Sequence, residues 1–129
     1  MKPLKETNVY SYLNYSDVPK AMEWLEQAFG FQPLRIEEIG NGRQHGEMWI
    51  GKEVIMMATA NPNLGMKLPA ETEEAFGVFI YVDDIEAHYK KSCDFGVNVV
   101  NKLEQKSYGY RYIAKDIDHH NWVFVKNPN

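Results

Sequence analysis

The chain has 129 residues, a formal net charge of −4 and an isoelectric point near 5.5. It contains no Lys/Arg cluster that would neutralise phosphates, so its composition argues against binding to nucleic acid or to an anionic membrane. The start, MKPLKETNVY, lacks the apolar core of a signal peptide, and no apolar run reaches the ~20 residues that a membrane span needs. We therefore expect a cytoplasmic protein whose partners are small molecules or other proteins.

The first half of the chain predicts the element order βαβββ. Residues 8–15 alternate in polarity as a strand does. Asp17 suits a helix N-cap, and the helix is expected to end at about Phe29, because Gly30 supplies a left-handed stop. Three strands are predicted at 32–39, 43–50 and 53–59, separated by hairpin turns at 40–42 and 51–52.

The second half repeats this order. A strand is predicted at 76–82, followed by a helix whose capping box would be Asp83 with Glu86 and whose apolar positions are Ile85, Tyr89 and Cys93. The single cysteine, Cys93, has no partner for an internal disulfide and is interpreted as a plain core or helix residue. Three further strands are predicted at 97–104, 108–115 and 120–126.

These patterns define the predicted domain organisation. One domain is expected over 1–129, with module one at about 8–60 and module two at about 76–127. The linker at 61–75 carries two prolines, a glycine and three glutamates without periodicity, and its length would suit a lid.

Three local features accompany the duplication. The helix entry is Asp17-Val18-Pro19-Lys20-Ala21, the helix exit is Phe29-Gly30-Phe31, and the last strand is preceded by DIDHHNW at 116–122. Together they resemble the vicinal oxygen chelate superfamily of glyoxalases, bleomycin-resistance proteins and extradiol dioxygenases. The resemblance implies an α+β fold with a curved, mostly antiparallel sheet around a cleft and one helix per module on its outer face. It also implies a homodimer whose clefts combine modules of both chains.

Metal-dependent members of that superfamily take one ligand from each of four strands. The corresponding positions here are Tyr10, Met56, Gly77 and Val123, and none has a side chain suited to a divalent cation in an oxygen/nitrogen site. The resemblance therefore implies that the inherited metal site is absent, and we expect no cofactor. The closing turn also departs from the family pattern, with Ile117 and His119 in place of Pro and Gly; His tolerates positive φ better than most residues.

A relocated metal site is the alternative. His45, Glu47 and His120 have the ligand types of an open iron or zinc site, and His45 and Glu47 share a strand face. Glu47 is also the one candidate for a general base. The competing interpretation is that these polar groups simply line a cavity.

Strand parity predicts a ligand-binding face. One set of strand residues is taken to face the helices: Leu13, Met48, Ile50, Val78, Ile80, Val82, Trp122 and Phe124. The opposite faces of these strands would then line the concave side of the sheet. That side would carry Tyr10, Tyr12, Asn14, His45, Glu47, Trp49, Met56, Phe79, Tyr81, Tyr110, Tyr112 and Val123. Aromatic rings with a few polar groups are typical of a site for an apolar or planar molecule, although cross-strand packing or a dimer interface would use the same residues.

The sequence therefore predicts metal-independent binding of a small, largely apolar or aromatic molecule, as in bleomycin-resistance-type proteins. One alternative is a glyoxalase-like or dioxygenase-like enzyme with a relocated metal and Glu47 as its base. Another is a dimeric interaction module with no small-molecule ligand.

Overall fold

A computed structural model describes residues 8–71 and 77–128 and contains two modules of the same element order. The first module comprises β1 (Tyr12–Tyr15), α1 (Val18–Phe29), β2 (Gln32–Gly40), β3 (Arg43–Ile50) and β4 (Glu53–Thr59). The second comprises β5 (Gly77–Val82), α2 (Ile85–Phe95), β6 (Asn98–Lys106), β7 (Gly109–Lys115) and β8 (Asn121–Lys126). The predicted α+β class and the two βαβββ modules are confirmed.

Each module forms a four-stranded mixed sheet. The strand orders are β1-β4-β3-β2 and β5-β8-β7-β6. In both sheets the first strand runs parallel to the last, and the remaining neighbours are antiparallel. Within the described residues the two sheets share no strand pairing, so they do not close into a barrel.

Helix α1 forms where its local signals place it. Asp17 accepts a hydrogen bond from the backbone N–H of Lys20 at 3.0 Å, and Gly30 ends the helix at φ 79°. The helix buries one apolar stripe, made of Val18, Ala21, Met22, Leu25, Ala28 and Phe29. Because cap, stripe and stop agree, the predicted bounds were confirmed.

Helix α2 begins one residue later than its predicted cap implied. Asp84, not Asp83, accepts from the N–H of Ala87 at 3.0 Å, while Asp83 accepts from the side-chain amide of Asn127. The inward-facing residue near its end is Ser92, whereas Cys93 is exposed, so of the two predicted places for Cys93 the helix is confirmed and the core is wrong. Ser92 lies seven residues after buried Ile85, two helical turns along the same face.

Two further expectations differ from the structure. The first strand begins at Tyr12 rather than at residue 8, since ladder pairing with β4 starts at the Tyr12–Met56 pair. The linker contains two short 3₁₀ turns, Pro62–Leu64 and Pro69–Glu71. Residues 72–76 lie outside the described residues, so the suggested lid stays a prediction.

One hydrophobic core joins the two modules. Phe29, at the end of α1, lies 4.8 Å from Phe124 and 5.9 Å from Trp122 of β8, measured between ring centroids. Beside it, the Tyr15 hydroxyl donates to Oδ2 of Asp116 at 2.6 Å. Burial, and then the Asp116 carboxylate, raise the pKa of the Tyr15 hydroxyl well above its usual range, so Tyr15 stays a neutral donor.

Each sheet has one side that is buried against the helices. We call the other side its open face, which carries Glu47 in the first sheet and Phe79 in the second. No helix in the described residues has the length and hydropathy of a membrane span.

Candidate functional site

The open face of the first sheet follows from its hydrogen-bonded registers, because ladder partners point to the same side. Glu47 of β3 is opposite Met56 of β4 and Arg35 of β2, and Met56 is opposite Tyr12 of β1. His45 and Trp49 flank Glu47 at the same parity. The structure thus brings together on this face six of the predicted residues: Tyr12, Asn14, His45, Glu47, Trp49 and Met56.

A polar trio occupies the middle of this face. Nε2 of His45 lies 2.9 Å from Oε2 of Glu47, and Nε of Arg35 lies 3.3 Å from Oε1 of Glu47. The side chains of His45 and Glu47 are 20% and 15% exposed, whereas that of Arg35 is 54% exposed. Both carboxylate oxygens of Glu47 are therefore engaged within the chain, which fixes its position and leaves the guanidinium edge of Arg35 open to solvent.

Arg35 is absent from the ligand set that the sequence predicts. It lies on an edge strand whose pairing with β3 contains a register shift between Pro33 and Arg35. A shift of one residue moves side chains to the other face, so the match between Arg35 and Glu47 depends on that irregularity. The available signal in the sequence was that Arg35 is the one basic residue of β2, which also carries Glu37 and Glu38.

Aromatic rings border the trio. The Tyr12 ring lies 6.1 Å from that of His45, and Tyr12 is 57% exposed. Trp49 is 38% exposed and Tyr10, in the segment before β1, is 46% exposed. Large exposed rings next to fixed hydrogen-bonding groups suit a planar or apolar guest, because rings supply stacking area and polar groups set its orientation.

The open face of the second sheet carries a second aromatic group. Phe79 and Tyr81 of β5 lie on this face with Val123 and Val125 of β8. The ring of Phe79 lies 5.3 Å from that of Tyr81 and 6.3 Å from that of Tyr108, which sequence reasoning did not include. All three rings are about half exposed.

Tyr110 and Tyr112 do not lie on this face, which corrects the prediction for both. Tyr112 is directly opposite Phe124, a helix-side residue, and Tyr110 has the same parity as Tyr112. Tyr112 is fully buried, with its ring 5.1 Å from that of Phe124. Its hydroxyl bonds to His88 and to Ser92 of α2. Burial raises the pKa of the Tyr112 hydroxyl, which therefore stays protonated in this network.

A groove runs beside β5 and links the two modules. Its volume is about 510 Å³, within the range of small-molecule sites, and its lining includes Val54, Phe79 and Tyr81. A second groove of about 460 Å³ lies by Phe29 and His88, and Tyr81 is its only lining residue from the predicted ligand set. The groove beside β5 is therefore the better continuation of the open faces.

His120 does not join His45 and Glu47. Its Nε2 donates to the backbone carbonyl of Asn14 at 2.6 Å, and its ring packs edge-on at 4.5 Å from that of Tyr15. It is 7% exposed and holds β8 against β1. Over residues 8–71 and 77–128, no three His, Cys, Asp or Glu side chains are grouped so that they could hold a metal ion.

Comparison with known proteins identifies the family. The family model described as Glyoxalase/Bleomycin resistance protein/Dioxygenase superfamily matches residues 7–124. The chain belongs to this superfamily. Among curated proteins, no sequence gives a significant match.

Solved structures of this superfamily fold agree. TioX from Micromonospora sp. ML1 is 24% identical, covers 92% of this chain and 98% of its own, and superposes with a TM-score of 0.73. TnmS3, an antibiotic binding protein from Streptomyces sp. CB03234, is 15% identical, with coverages of 95% and 98% and a TM-score of 0.73. The fosfomycin resistance protein FosX from Listeria monocytogenes, solved with Mn(II) and sulfate, is 10% identical, with coverages of 96% and 92% and a TM-score of 0.72.

The residues at the four positions that the resemblance assigns to metal ligands do not fit a divalent cation. Met56 and Val123 lie on the two open faces and offer a thioether and a hydrocarbon. Gly77 has no side chain, and a Cβ there would already lie 3.4 Å from the carbonyl oxygen of Asn121. Tyr10 is a half-exposed phenol. This donor set lacks the imidazole and carboxylate ligands that a divalent cation requires in such a site.

Proposed function

We propose that this superfamily member binds a small, largely apolar or aromatic molecule on its open faces without a metal, as bleomycin-resistance-type proteins do. The observation that carries the proposal is the exposure of large rings side by side on both faces, since a contiguous exposed apolar patch on a folded chain marks a binding site or an interface. The most exposed are Tyr12, Phe79, Tyr81 and Tyr108. TnmS3, described as an antibiotic binding protein, supports the proposal by its shared fold.

The polar trio supplies orientation for such a guest. Glu47 holds His45 and Arg35 in fixed positions, and Arg35 keeps part of its guanidinium in solvent. A planar guest stacked on Tyr12 or Trp49 would have these groups at its edge. Hydrogen bonds from a pre-positioned trio cost less ordering entropy than bonds from free side chains.

We also propose that two copies form a homodimer in which the open face of one module meets that of the other. Both open faces carry large exposed rings, Tyr12 and Trp49 on the first and Phe79 and Tyr81 on the second. Pairing the two faces would cover this apolar surface. A ligand held between them would be enclosed on both sides.

The experiment that tests the function is native mass spectrometry of the untagged protein, followed by identification of any released small molecule. A retained organic molecule lost in Trp49→Ala supports the proposal. A protein that carries none, and binds no member of a panel of planar antibiotics and aromatic metabolites, would favour the interaction module instead.

The enzyme alternative has its own test. Elemental analysis is expected to show no stoichiometric zinc, nickel, iron or manganese, because the inherited metal positions offer no suitable donors. Near-stoichiometric metal that disappears in His45→Ala or Glu47→Ala would overturn the metal-free proposal and favour an enzyme with Glu47 as its base.

A further inference from the structure

A buried guanidinium lies on the second open face. Arg111 is 5% exposed and shares a row across the sheet with Val125 of β8 and Glu104 of β6. Its Nε donates to the Tyr108 hydroxyl at 2.9 Å. Its Nη1 is buried and has no hydrogen-bond acceptor among the described residues, the nearest carboxylate being Oε1 of Glu104 at 3.6 Å.

Glu104 compensates this charge only in part. The same Oε1 lies 3.0 Å from Nζ of Lys106, and the Lys106 ammonium, with a smaller contribution from Arg111, holds the pKa of the Glu104 carboxyl below its usual range. Glu104 is therefore shared between two cations. A guanidinium has five N–H donors, and burying its charge is costly unless an anion accepts from it. Among the described residues Arg111 makes one hydrogen bond, to a neutral phenol, so its buried Nη1 lacks an acceptor within hydrogen-bond distance.

The cover of Arg111 is aromatic. Tyr108 lies beside the ring of Phe79, which in turn lies beside that of Tyr81, and each of these rings keeps about half of its surface in solvent. A planar guest that stacks on these rings would lie next to the buried guanidinium.

We propose that Arg111 receives the acidic group of the ligand, so that the molecule bound on the open faces is an organic anion with a planar or apolar body. The acceptor is a carboxylate or a comparable oxyanion, for which the planar guanidinium fork is suited. This inference rests on the proposed function, to which it adds the charge of the ligand.

Two probes of equal ring size separate binding of a planar molecule from preference for an anionic one. 2-Naphthoate is anionic, and 2-naphthamide is neutral. Isothermal titration calorimetry at fixed pH and salt is expected to show that the wild type binds 2-naphthoate at least about tenfold more tightly, as for a charge-assisted hydrogen bond in a partly dry site. Arg111→Gln and Arg111→Met should lose this preference while still binding 2-naphthamide, which also shows that they are folded. Lys102→Gln removes the same charge from an exposed position of β6 and should keep the preference.

Equal affinity for the two probes in the wild type would overturn the inference and leave the proposed function standing. The inference would also be overturned if both Arg111 variants kept the preference for 2-naphthoate. It would be overturned as well if Lys102→Gln lost this preference as fully as they do, since net charge alone would then be responsible. Failure of both probes to bind would overturn the proposed function together with the inference.

Discussion

The indole N–H of Trp122 donates at 2.9 Å to Oδ2 of Asp116, the same oxygen that accepts from the Tyr15 hydroxyl. The other oxygen of Asp116 accepts from the backbone N–H groups of Asp118 and His120. One buried carboxylate thus fixes the turn before β8 and links it to β1 of the other module. In this turn His119 adopts φ 72°, consistent with the expectation that His can replace the usual glycine there.

Trp122→Ala is therefore expected to lower the free energy of unfolding by roughly 3–5 kcal/mol, because a fully buried ring is removed and its hydrogen-bond partner is left behind. Urea unfolding followed by circular dichroism measures this change. Trp49→Ala is the matched control, since Trp49 is partly exposed, and should cost much less. If Trp49→Ala were the more destabilised variant, our assignment of the sheet faces would be wrong.

Local signals explain how much of the fold was predictable. The cap at Asp17 and the stop at Gly30 are decided within a few residues of sequence, and α1 was predicted to its ends. The adjacent acids Asp83 and Asp84 both satisfy a cap pattern locally. Asp84 is favoured only when the second module is compared with the first, in which Asp17 holds the equivalent cap position. Cys93 was grouped with the apolar stripe because of its residue type, whereas the inward position near the helix end is that of the polar Ser92, whose hydroxyl finds a partner in the Tyr112 hydroxyl.

The faces of β7 show where the site was harder to predict. Alternation groups Tyr110 with Tyr112 and Arg111 with Lys115, but it does not say which group faces the helices. The charges of Arg111 and Lys115 were the available signal that their side of β7 is turned away from the helices, since Arg and Lys are rarely placed in a core. That signal identifies Tyr112 as a core residue. It does not reveal the burial of Arg111, because Tyr108 covers it from the neighbouring turn.

His88 should make stability depend on pH. Its Nε2 donates to the carbonyl of Phe29 at 2.9 Å, so Nδ1 accepts from the Tyr112 hydroxyl at 2.6 Å and the ring is neutral. Burial, above all, lowers the pKa of His88 from its ordinary 6.5, and Lys91 lowers it further, while the bond to Phe29 opposes both. The unfolded chain therefore takes up the proton first, so stability contributed by His88 is present above pH 6.5 and is lost as pH falls below it.

The measurement is the free energy of unfolding of the wild type and of His88→Gln between pH 7.5 and pH 5. The stability advantage of the wild type over the variant should shrink as pH falls. A constant difference between the two proteins across this range would show that protonation of His88 is not linked to folding.

The proposed homodimer predicts a sedimentation mass of about twice 15.0 kDa at micromolar concentration. Tyr81→Asp places a charge on the second open face and should shift the protein toward monomer, because an unpaired charge in a closed interface is costly. Leu64→Asp changes a more exposed apolar residue away from both sheets and should leave the mass unchanged. A wild type that sediments as a monomer would remove the model of clefts shared between two chains.

Trp49 provides the test of ligand binding on the first open face. It has the same parity as His45 and Glu47 and is 38% exposed, so its indole is accessible to a guest beside the polar trio. Stacking of a nucleic-acid base on an aromatic side chain is worth ~1–3 kcal/mol of binding free energy, as measured by alanine substitution. If a planar guest loses a similar amount in Trp49→Ala, its binding should weaken roughly 5- to 150-fold. Titrations followed by tryptophan fluorescence would use the planar guests that bind the wild type, with Trp24→Phe, on α1, as a control that removes a different indole. Trp24→Phe should retain full affinity. Equal binding of these guests by wild type and Trp49→Ala would place the site elsewhere than beside Trp49.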